Sequence, residues 1–220
     1  MTLYSTFVAG LVAFAAIAHA EPTTLLGRTI EAVIPTGYCE VGKHPADAEL
    51  VRRTIEGIGD LNQVLVLFAN CKELEEFRHG KRSFLNNYGQ ILVQKPKGQL
   101  RALKGVTRPE FISKMAGRAD FSESLKKAEV RIRQFEPSYQ SMENLGLLGT
   151  DANGLYIGLL LAMTGDTPQP RRIVGVVGMT LVKELPASVN LYQGYKASPD
   201  LAALLVRQKA AMNAFVQANN

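Results

Sequence analysis

The order of apolar and polar positions predicts short strands and helices along the first half of the chain. Residues 29–34 place apolar side chains at every second position, which is typical of a half-buried strand. Residues 63–69 form an apolar run rich in valine and leucine, which predicts a buried strand. In order, we expect strand 29–34, helix 45–58, strand 63–69, one or two helical turns at 72–79, and strand 84–94.

The second half begins with a helical block and then turns to β-structure. Apolar residues recur at helical spacing through 99–135 and predict two helices joined near 117–120. Apolar runs separated by turn residues follow, and Asn153-Gly154 between two of them is a strong hairpin signal. We expect four antiparallel strands in a row, at 144–148, 155–163, 173–182 and 187–192.

Two of these strands carry further detail. Gly175 and Gly178 lie within the third strand, where we expect them to let a helix pack closely. The fourth strand alternates apolar Val189 with polar Ser188 and Asn190, which favours a place near an edge of the sheet.

A closing helix is predicted to follow the last strand. Ser198 is a good N-cap residue and Pro199 fits the first helical position. Apolar residues between 201 and 216 line one side, so we expect this helix to lie on the sheet. Because no linker divides the chain, one α+β domain over residues 21–220, with a largely antiparallel sheet, is the economical interpretation.

The first twenty residues predict a cleavable signal peptide. Residues 7–20 are almost purely apolar and end in Ala18-His19-Ala20, which fits a signal peptidase site. A membrane anchor is the alternative, but the apolar run falls short of the roughly 20 residues that a membrane span needs. We therefore expect cleavage near Ala20, a periplasmic or secreted location, and no transmembrane segment in the mature chain.

The composition is that of an ordinary folded domain, with 46% hydrophobic and 20% charged residues. These values argue against disorder and against a multi-span membrane protein. The two cysteines are Cys39 and Cys71, and in an oxidising compartment we expect them to form a disulfide. The alternative, a catalytic thiol at Cys71 with His79 as its base, has no flanking signature to support it.

Positive charge is concentrated in residues 95–118, named here the basic segment. It contains seven basic residues and one acid, a net charge of +6 against +5 for the whole chain. This favours docking to an anionic partner, such as lipid head groups, an envelope polyanion or an acidic protein; a solvated face that aids solubility is the alternative. Nucleic acid is not expected, because the segment lacks interleaved aromatic residues. The candidate patch consists of Lys95, Lys97, Arg101, Lys104, Arg108, Lys114 and Arg118.

The sequence contains no recognisable motif for catalysis or cofactor binding. It has no G-x-S-x-G nucleophile elbow, no phosphate-binding loop and no dinucleotide-binding glycine motif after a strand. His44 and His79 have no second ligand at a spacing typical of metal sites. We therefore assign no catalytic, cofactor-binding or metal-binding residues and expect no cofactor.

Several segments of the chain carry a resemblance to known proteins: Gly37-Tyr38-Cys39, 45–50, Phe68-Ala69-Asn70-Cys71 with 72–74, 176–182, 189–195 and the terminal Ala218-Asn219-Asn220. In these segments the sequence resembles a recurring group of uncharacterised exported proteobacterial proteins. The order of predicted elements also resembles the α/β/α sandwich of PsbP-like proteins. The resemblance implies helices on both faces of the sheet and an envelope location, and PsbP-like members mostly bind or assemble with other proteins. It carries over no site residue.

Taken together, these features favour a non-enzymatic exported protein that binds an envelope component or a protein partner. Two alternatives stay open. One is a hydrolase of unfamiliar type, whose groups meet only in the fold; a cleft lined by His44 or His79, a carboxylate and a serine would favour it. The other is a structural or stress-linked envelope protein. The oligomeric state is not indicated.

Overall fold

A computed structural model describes residues 18–118, 121–164 and 170–220. The strands are β1 (Ala18–His19), β2 (Thr23–Leu25), β3 (Arg28–Ile30), β4 (Val33–Ile34), β5 (Tyr38–Val41), β6 (Asn62–Asn70), β7 (Tyr88–Gln94), β8 (Tyr139–Thr150), β9 (Leu155–Met163), β10 (Arg171–Val182) and β11 (Leu185–Gly194). The helices are α1 (Ala48–Ile58), α2 (Cys71–Arg78), α3 (Arg108–Ala116), α4 (Ser122–Phe135) and α5 (Pro199–Ala218).

Seven of the strands form one antiparallel sheet in the order β5-β6-β7-β11-β10-β9-β8. The last four strands are consecutive neighbours, as the sequence predicts, and the β8–β9 turn is the predicted hairpin. In that turn Asp151 Oδ1 accepts hydrogen bonds from the backbone N–H groups of Asn153 and Gly154. The mixed α+β class with a large antiparallel sheet is therefore confirmed.

Helix α5 packs against β10 and β11, which confirms the predicted place of the closing helix. Gly178 makes this contact possible, since a Cβ there would lie 2.5 Å from Gln208 and 2.8 Å from Met212 of α5. Gly175 has a different role from the one expected, because a Cβ at this position would lie 2.7 Å from the Tyr192 ring of the neighbouring strand.

The start of α5 differs from the prediction. The Ser198 side chain makes no capping hydrogen bond. Asp200, within the first turn, bonds instead to the segment before the helix, and its Oδ2 accepts from the backbone N–H groups of Lys196 at 2.7 Å and Ala197 at 2.9 Å.

The predicted first strand is wrong, because residues 29–34 belong to two strands that lie outside the large sheet. β3 pairs with β2, and β4 pairs with β1. The break falls at Glu31, whose backbone groups are bonded to a side chain instead of a strand. Asn219 Oδ1 accepts from Glu31 N at 2.9 Å and Asn219 Nδ2 donates to Glu31 O at 2.8 Å.

The predicted strand 84–94 is shorter in the structure and begins at Tyr88. Glu73 explains the difference. Its carboxylate accepts from the backbone N–H groups of Asn86 at 2.7 Å and Asn87 at 3.0 Å, which removes both from strand pairing.

The strand β11 lies in the centre of the sheet, between β7 and β10, and not near an edge. The polar residues that alternate with apolar ones along β11 do not face solvent. Ser188 and Asn190 are only 3% and 5% exposed, so the polar side of this strand faces the interior of the molecule.

The predicted signal peptide lies mostly in residues 1–17, outside the described residues. The described end of this segment is paired with the rest of the chain: Ala18 and His19 form β1, and Ala20 is buried and donates its N–H to Ala32 O. Cleavage near Ala20 stays a prediction.

Candidate functional site

A cavity of about 800 Å³ lies over the centre of the sheet. Its floor contains side chains from β7 and β11, two neighbouring strands. The strand register places Tyr88 opposite Tyr192 and Gln90 opposite Asn190. These four residues are named here the polar floor. They lie in the centre of the sheet, where buried side chains are normally apolar.

The two tyrosines of the polar floor stack on each other. Their ring centroids are 4.9 Å apart and the ring planes differ by 16°. Burial raises the pKa of Tyr192 to about 12, and a side-chain hydrogen bond with Gln90 opposes part of this rise. Burial also raises the pKa of Tyr88 above its ordinary value. Both phenols are therefore neutral at physiological pH.

Asn190 is the most unusual member of the polar floor. It is 5% exposed, and its Oδ1 has no hydrogen-bond partner among the described residues. A buried acceptor without a partner costs about 1–3 kcal/mol of stability, so such groups are rare and call for an explanation. The residue lines the cavity, although Oδ1 itself is buried away from the open space.

The roof of the cavity is formed by α1 and α4. Apolar side chains on both helices line it, among them Ile58 of α1 and Ile132 of α4. The two helices contact each other, yet no residue of α1 is fully buried. An amphipathic helix normally buries its apolar stripe in the core. In this protein, the cavity lies between helix α1 and the sheet.

Four charged residues line the cavity, and three of them are arginines. Arg131 donates to the carbonyl of Ile58 at the end of α1, at 3.3 Å. Arg53 Nε lies 3.1 Å from a Glu49 carboxylate oxygen on its own helix. The lining charges are Arg53, Arg131, Glu136 and Arg171.

The third arginine supports the segment before β7. The Arg171 guanidinium lies over the Phe84 ring, 3.9 Å from its centroid, and Nη1 donates to Leu85 O at 2.9 Å. Arg131 and Arg171 thus donate hydrogen bonds to residues that line the cavity, whereas Arg53 Nε is buried and has no hydrogen-bond partner among the described residues.

One pattern in the sequence marks this site, but it predicts the wrong position for the strand in the sheet. The alternation of Ser188 and Asn190 with apolar neighbours predicted an edge strand, although it marks a polar floor in the centre of the sheet. Gln90 lies in a short strand without a comparable pattern. No signal in the sequence connects it with Asn190, because their pairing depends on strand order.

The basic segment follows the end of the sheet near the β10–β11 turn, where Leu103 N donates to Glu184 O. Arg108 differs from the other basic residues of this segment. Its Nε donates to Leu181 O at 2.9 Å and its Nη2 to Asn220 Oδ1 at 2.8 Å, so it joins α3 to β10 and to the end of the chain. The other six side chains are exposed or part-exposed: Lys95, Lys97, Arg101, Lys104, Lys114 and Arg118.

The predicted disulfide between Cys39 and Cys71 is present, with the two Cα atoms 4.9 Å apart. It joins β5 to the first residue of α2. Closing a loop across a sequence separation of 32 residues is worth about 3–4 kcal/mol in the chain-entropy account. The cysteines therefore stabilise this edge of the sheet, and no catalytic thiol is formed by Cys71.

The two histidines of the hydrolase alternative do not line the cavity. His44 lies beside a shallow depression near the start of α1, and His79 is the C-cap residue of α2. Within residues 18–118, 121–164 and 170–220, no group of three or more His, Cys, Asp or Glu side chains is placed to hold a metal ion. In the same part of the chain, no helix combines the length and apolar content that crossing a bilayer requires.

Comparison with known proteins gives a likeness at the level of the fold. The chain is similar to the solution structure of the cyanobacterial PsbP protein (CyanoP) from Synechocystis sp. PCC 6803, with a TM-score of 0.40 and 13% identity, over 93% of this chain and 95% of that chain. No protein-family model and no curated protein matches the chain.

Proposed function

We propose that this chain is a non-enzymatic binding protein that holds a small molecule with an apolar body in its central cavity. The main observation that supports the proposal is the cavity itself. The cavity is partly open to solvent and lies between an amphipathic roof and the sheet. Its volume of about 800 Å³ is in the size range of ligand sites, which are concave and mostly apolar.

The proposal includes an α/β/α arrangement, with α5 on one face of the sheet and the α1–α4 roof on the other. Neighbouring residues of β10 support it, because successive side chains of a strand point to opposite faces. Val177 lines the cavity. Gly178 lies against Gln208 and Met212 of α5.

Binding is better supported than hydrolysis at this site. Ser138 Oγ donates to Glu136 Oε1 at 2.5 Å at one end of the cavity, which supplies a hydroxyl and a carboxylate. Neither His44 nor His79 lines the cavity, so the histidine that the hydrolase alternative requires lies elsewhere among the described residues.

The location follows the interpretation of the sequence. We place the protein in the periplasm or outside the cell, after cleavage near Ala20. The Cys39–Cys71 disulfide supports this location, because disulfides persist in oxidising compartments.

Titration with the neutral fluorescent probe N-phenyl-1-naphthylamine tests the proposed function. We expect saturable binding of one probe per chain. Ala128 lies in the roof and lines the cavity, so A128W should fill the hollow and abolish binding. Ala203 is exposed on α5, so A203W is the matched control and should bind like the wild type. Wild-type protein that fails to bind, or full binding by A128W, would refute the proposal.

A second candidate function is docking of the basic segment to an anionic lipid surface. The observation in its favour is that five of the seven basic side chains are exposed, while Lys95 and Arg108 are half-buried. This surface lies along the end of the sheet near the β10–β11 turn, so both functions are compatible in one molecule.

A further inference from the structure

The arginines of the cavity indicate the charge of its ligand: we propose that the cavity binds a long-chain carboxylate, whose carboxyl end is bound by Arg53 and whose alkyl chain lies along the apolar walls. This inference rests on the proposed function, because it concerns the occupant of the same cavity. It adds the charge that the ligand carries and the residue that recognises it.

The described lining of the cavity carries an excess of positive charge. It contains three arginines, Arg53, Arg131 and Arg171, and one glutamate, Glu136, which gives a net charge of +2. Charges attract each other more strongly where protein partly replaces water than in bulk solvent. The lining therefore favours an anion over a neutral or a cationic group.

Arg53 is the arginine whose guanidinium is available to a ligand. Its Nε is buried without a hydrogen-bond partner, and no described residue accepts a hydrogen bond from its other nitrogen atoms. The side chain lines the cavity and is 42% exposed, so a ligand in the cavity can reach it. Because Nε is buried, the two Nη groups are the donors that a carboxylate would meet. The planar guanidinium matches the two oxygens of a carboxylate.

Glu49 lies close to Arg53 but is held by another cation. One of its carboxylate oxygens is 3.1 Å from Arg53 Nε. Both oxygens accept hydrogen bonds from Arg52, at 2.9 Å from Nε and 2.8 Å from Nη2. Arg52 and Glu49 are 55% and 56% exposed, so their ion pair lies on the solvent side of α1. It leaves the Nη groups of Arg53 without an acceptor among the described residues.

The other two arginines add positive charge but hold parts of the wall. Arg131 donates to a backbone carbonyl at the end of α1, so it lies beside the helix that carries Arg53. Burial raises the pKa of Tyr88, while the charge of Arg171 lowers it and that of Glu136 raises it, so both charges act on the polar floor. An acid thus opposes the arginine near the floor. The two arginines of the roof have no such acid in the described lining.

The alkyl chain of the ligand is indicated by the walls. Leu92, Leu159 and Leu161 contribute apolar side chains from the sheet, and Leu125 and Phe135 contribute them from the roof. Burying an alkyl chain among such side chains is favourable in proportion to the apolar area removed from water. The cavity therefore combines an apolar wall with a guanidinium, which is the combination that a long-chain carboxylate requires.

A matched series of twelve-carbon compounds tests the inference by displacement of the bound naphthylamine probe at pH 8. Dodecanoate carries a negative charge, 1-dodecanol is neutral, and dodecyltrimethylammonium carries a positive charge. We expect dodecanoate to bind about tenfold more tightly than dodecanol, the effect of one charge-assisted interaction with a guanidinium. We expect dodecyltrimethylammonium to bind most weakly, because the lining repels it.

The variant R53Q assigns the preference to Arg53. It should lower the affinity for dodecanoate to about that for dodecanol, since the cation is gone, and it should change the affinity for dodecanol by less than about twofold. Unchanged dodecanol binding shows that the cavity of the variant is intact. K127Q is the matched control, because Lys127 lies on the roof helix α4, is 68% exposed and does not line the cavity. It removes the same charge and should keep the wild-type preference.

The outcomes separate the inference from the proposed function. If none of the three compounds displaces the probe, the cavity does not bind alkyl ligands, and the proposed function fails together with the inference. If dodecanol displaces the probe as well as dodecanoate does, or the ammonium compound binds best, the cavity binds ligands but the carboxylate inference is wrong. If R53Q keeps the wild-type preference, Arg53 is not the residue that recognises the ligand. The wild-type series decides the charge of the ligand even if R53Q fails to fold.

Discussion

Asn190 lies in the middle of the seven-stranded sheet, where an apolar side chain would cost less free energy. Its neighbours along the strand are apolar, as is normal at such positions: Val189 and Leu191 are fully buried in the core beneath α5. A polar residue without a partner at such a position lowers stability, and natural proteins retain such residues mainly at functional sites. The stability of variants at this position is therefore informative about function.

We predict that N190L raises the free energy of unfolding by about 1 kcal/mol, because it removes a buried acceptor that has no partner. T180V should raise it by a similar amount for the same reason. Urea denaturation monitored by circular dichroism measures both. A marked loss of stability in N190L would show that Asn190 has a structural partner.

At the scale of elements, single side chains decide where strands end and how the walls of the cavity are held. Glu73 shortens β7, and Asn219 separates β3 from β4. The segment between β5 and α1 is held to α2 by an ion pair: the Asp47 carboxylate, 0% exposed, lies 2.8 Å from the Arg78 guanidinium. Asp47 Oδ2 also accepts from Gly42 N at 2.8 Å.

This ion pair predicts a dependence of stability on pH. Burial by itself raises the pKa of Asp47, but the hydrogen bonds from Arg78 and Gly42 outweigh it, so the pKa lies below its ordinary value. A lowered pKa in the folded state means that the stabilisation is present above the unfolded-state pKa, near 4, and is lost as the pH falls through the folded-state value. The stabilisation is therefore complete at neutral pH.

We expect D47N to destabilise the protein by about 3 kcal/mol at pH 7, because it removes the buried charge partner of a largely buried arginine. The difference from the wild type should shrink as the pH falls below about 4 and through the folded-state pKa of Asp47, because the wild-type carboxyl is then itself protonated. Urea denaturation at several pH values measures this. E75Q is the matched control: Glu75 also pairs with Arg78 but is 60% exposed, so its loss should cost less than about 1 kcal/mol. Equal effects of the two variants would contradict the prediction.

At the scale of the whole molecule, charge is unevenly distributed. The basic segment has a net charge of +6, so the remainder of the chain is close to neutral. The structure also shows which of these charges are available for docking, since Arg108 has a structural role at the end of α3. A test of the surface must therefore leave Arg108 unchanged.

We expect the triple charge reversal K97E/R101E/K104E to weaken binding to vesicles that contain phosphatidylglycerol by at least about 100-fold, at about 1 kcal/mol for each basic residue removed from the surface. Vesicle co-sedimentation at low salt measures this, and added salt should reduce wild-type binding. The reversal K72E/K81E/K126E changes the net charge equally at other exposed positions and is the matched control. Equal losses in the two variants would reject the basic segment as the docking surface.

The sequence alone determined the features that depend on neighbours along the chain. Periodicity placed α1, the α3–α4 pair and α5, and turn residues marked the β8–β9 hairpin, because a helix or a hairpin forms from residues that lie close in the sequence. The cysteine count determined the only possible disulfide. The charge of the basic segment was likewise readable from composition.

Only the tertiary structure decided the features that depend on which distant residues meet. The central place of β11, the pairing of Gln90 with Asn190, and the structural role of Arg108 all require the order of strands in the sheet. The same is true of the strand breaks at Glu31 and Asn86, which distant side chains impose. A cavity produces no pattern in the local sequence. An amphipathic helix has the same spacing of apolar residues whether these residues pack against a core or line a cavity.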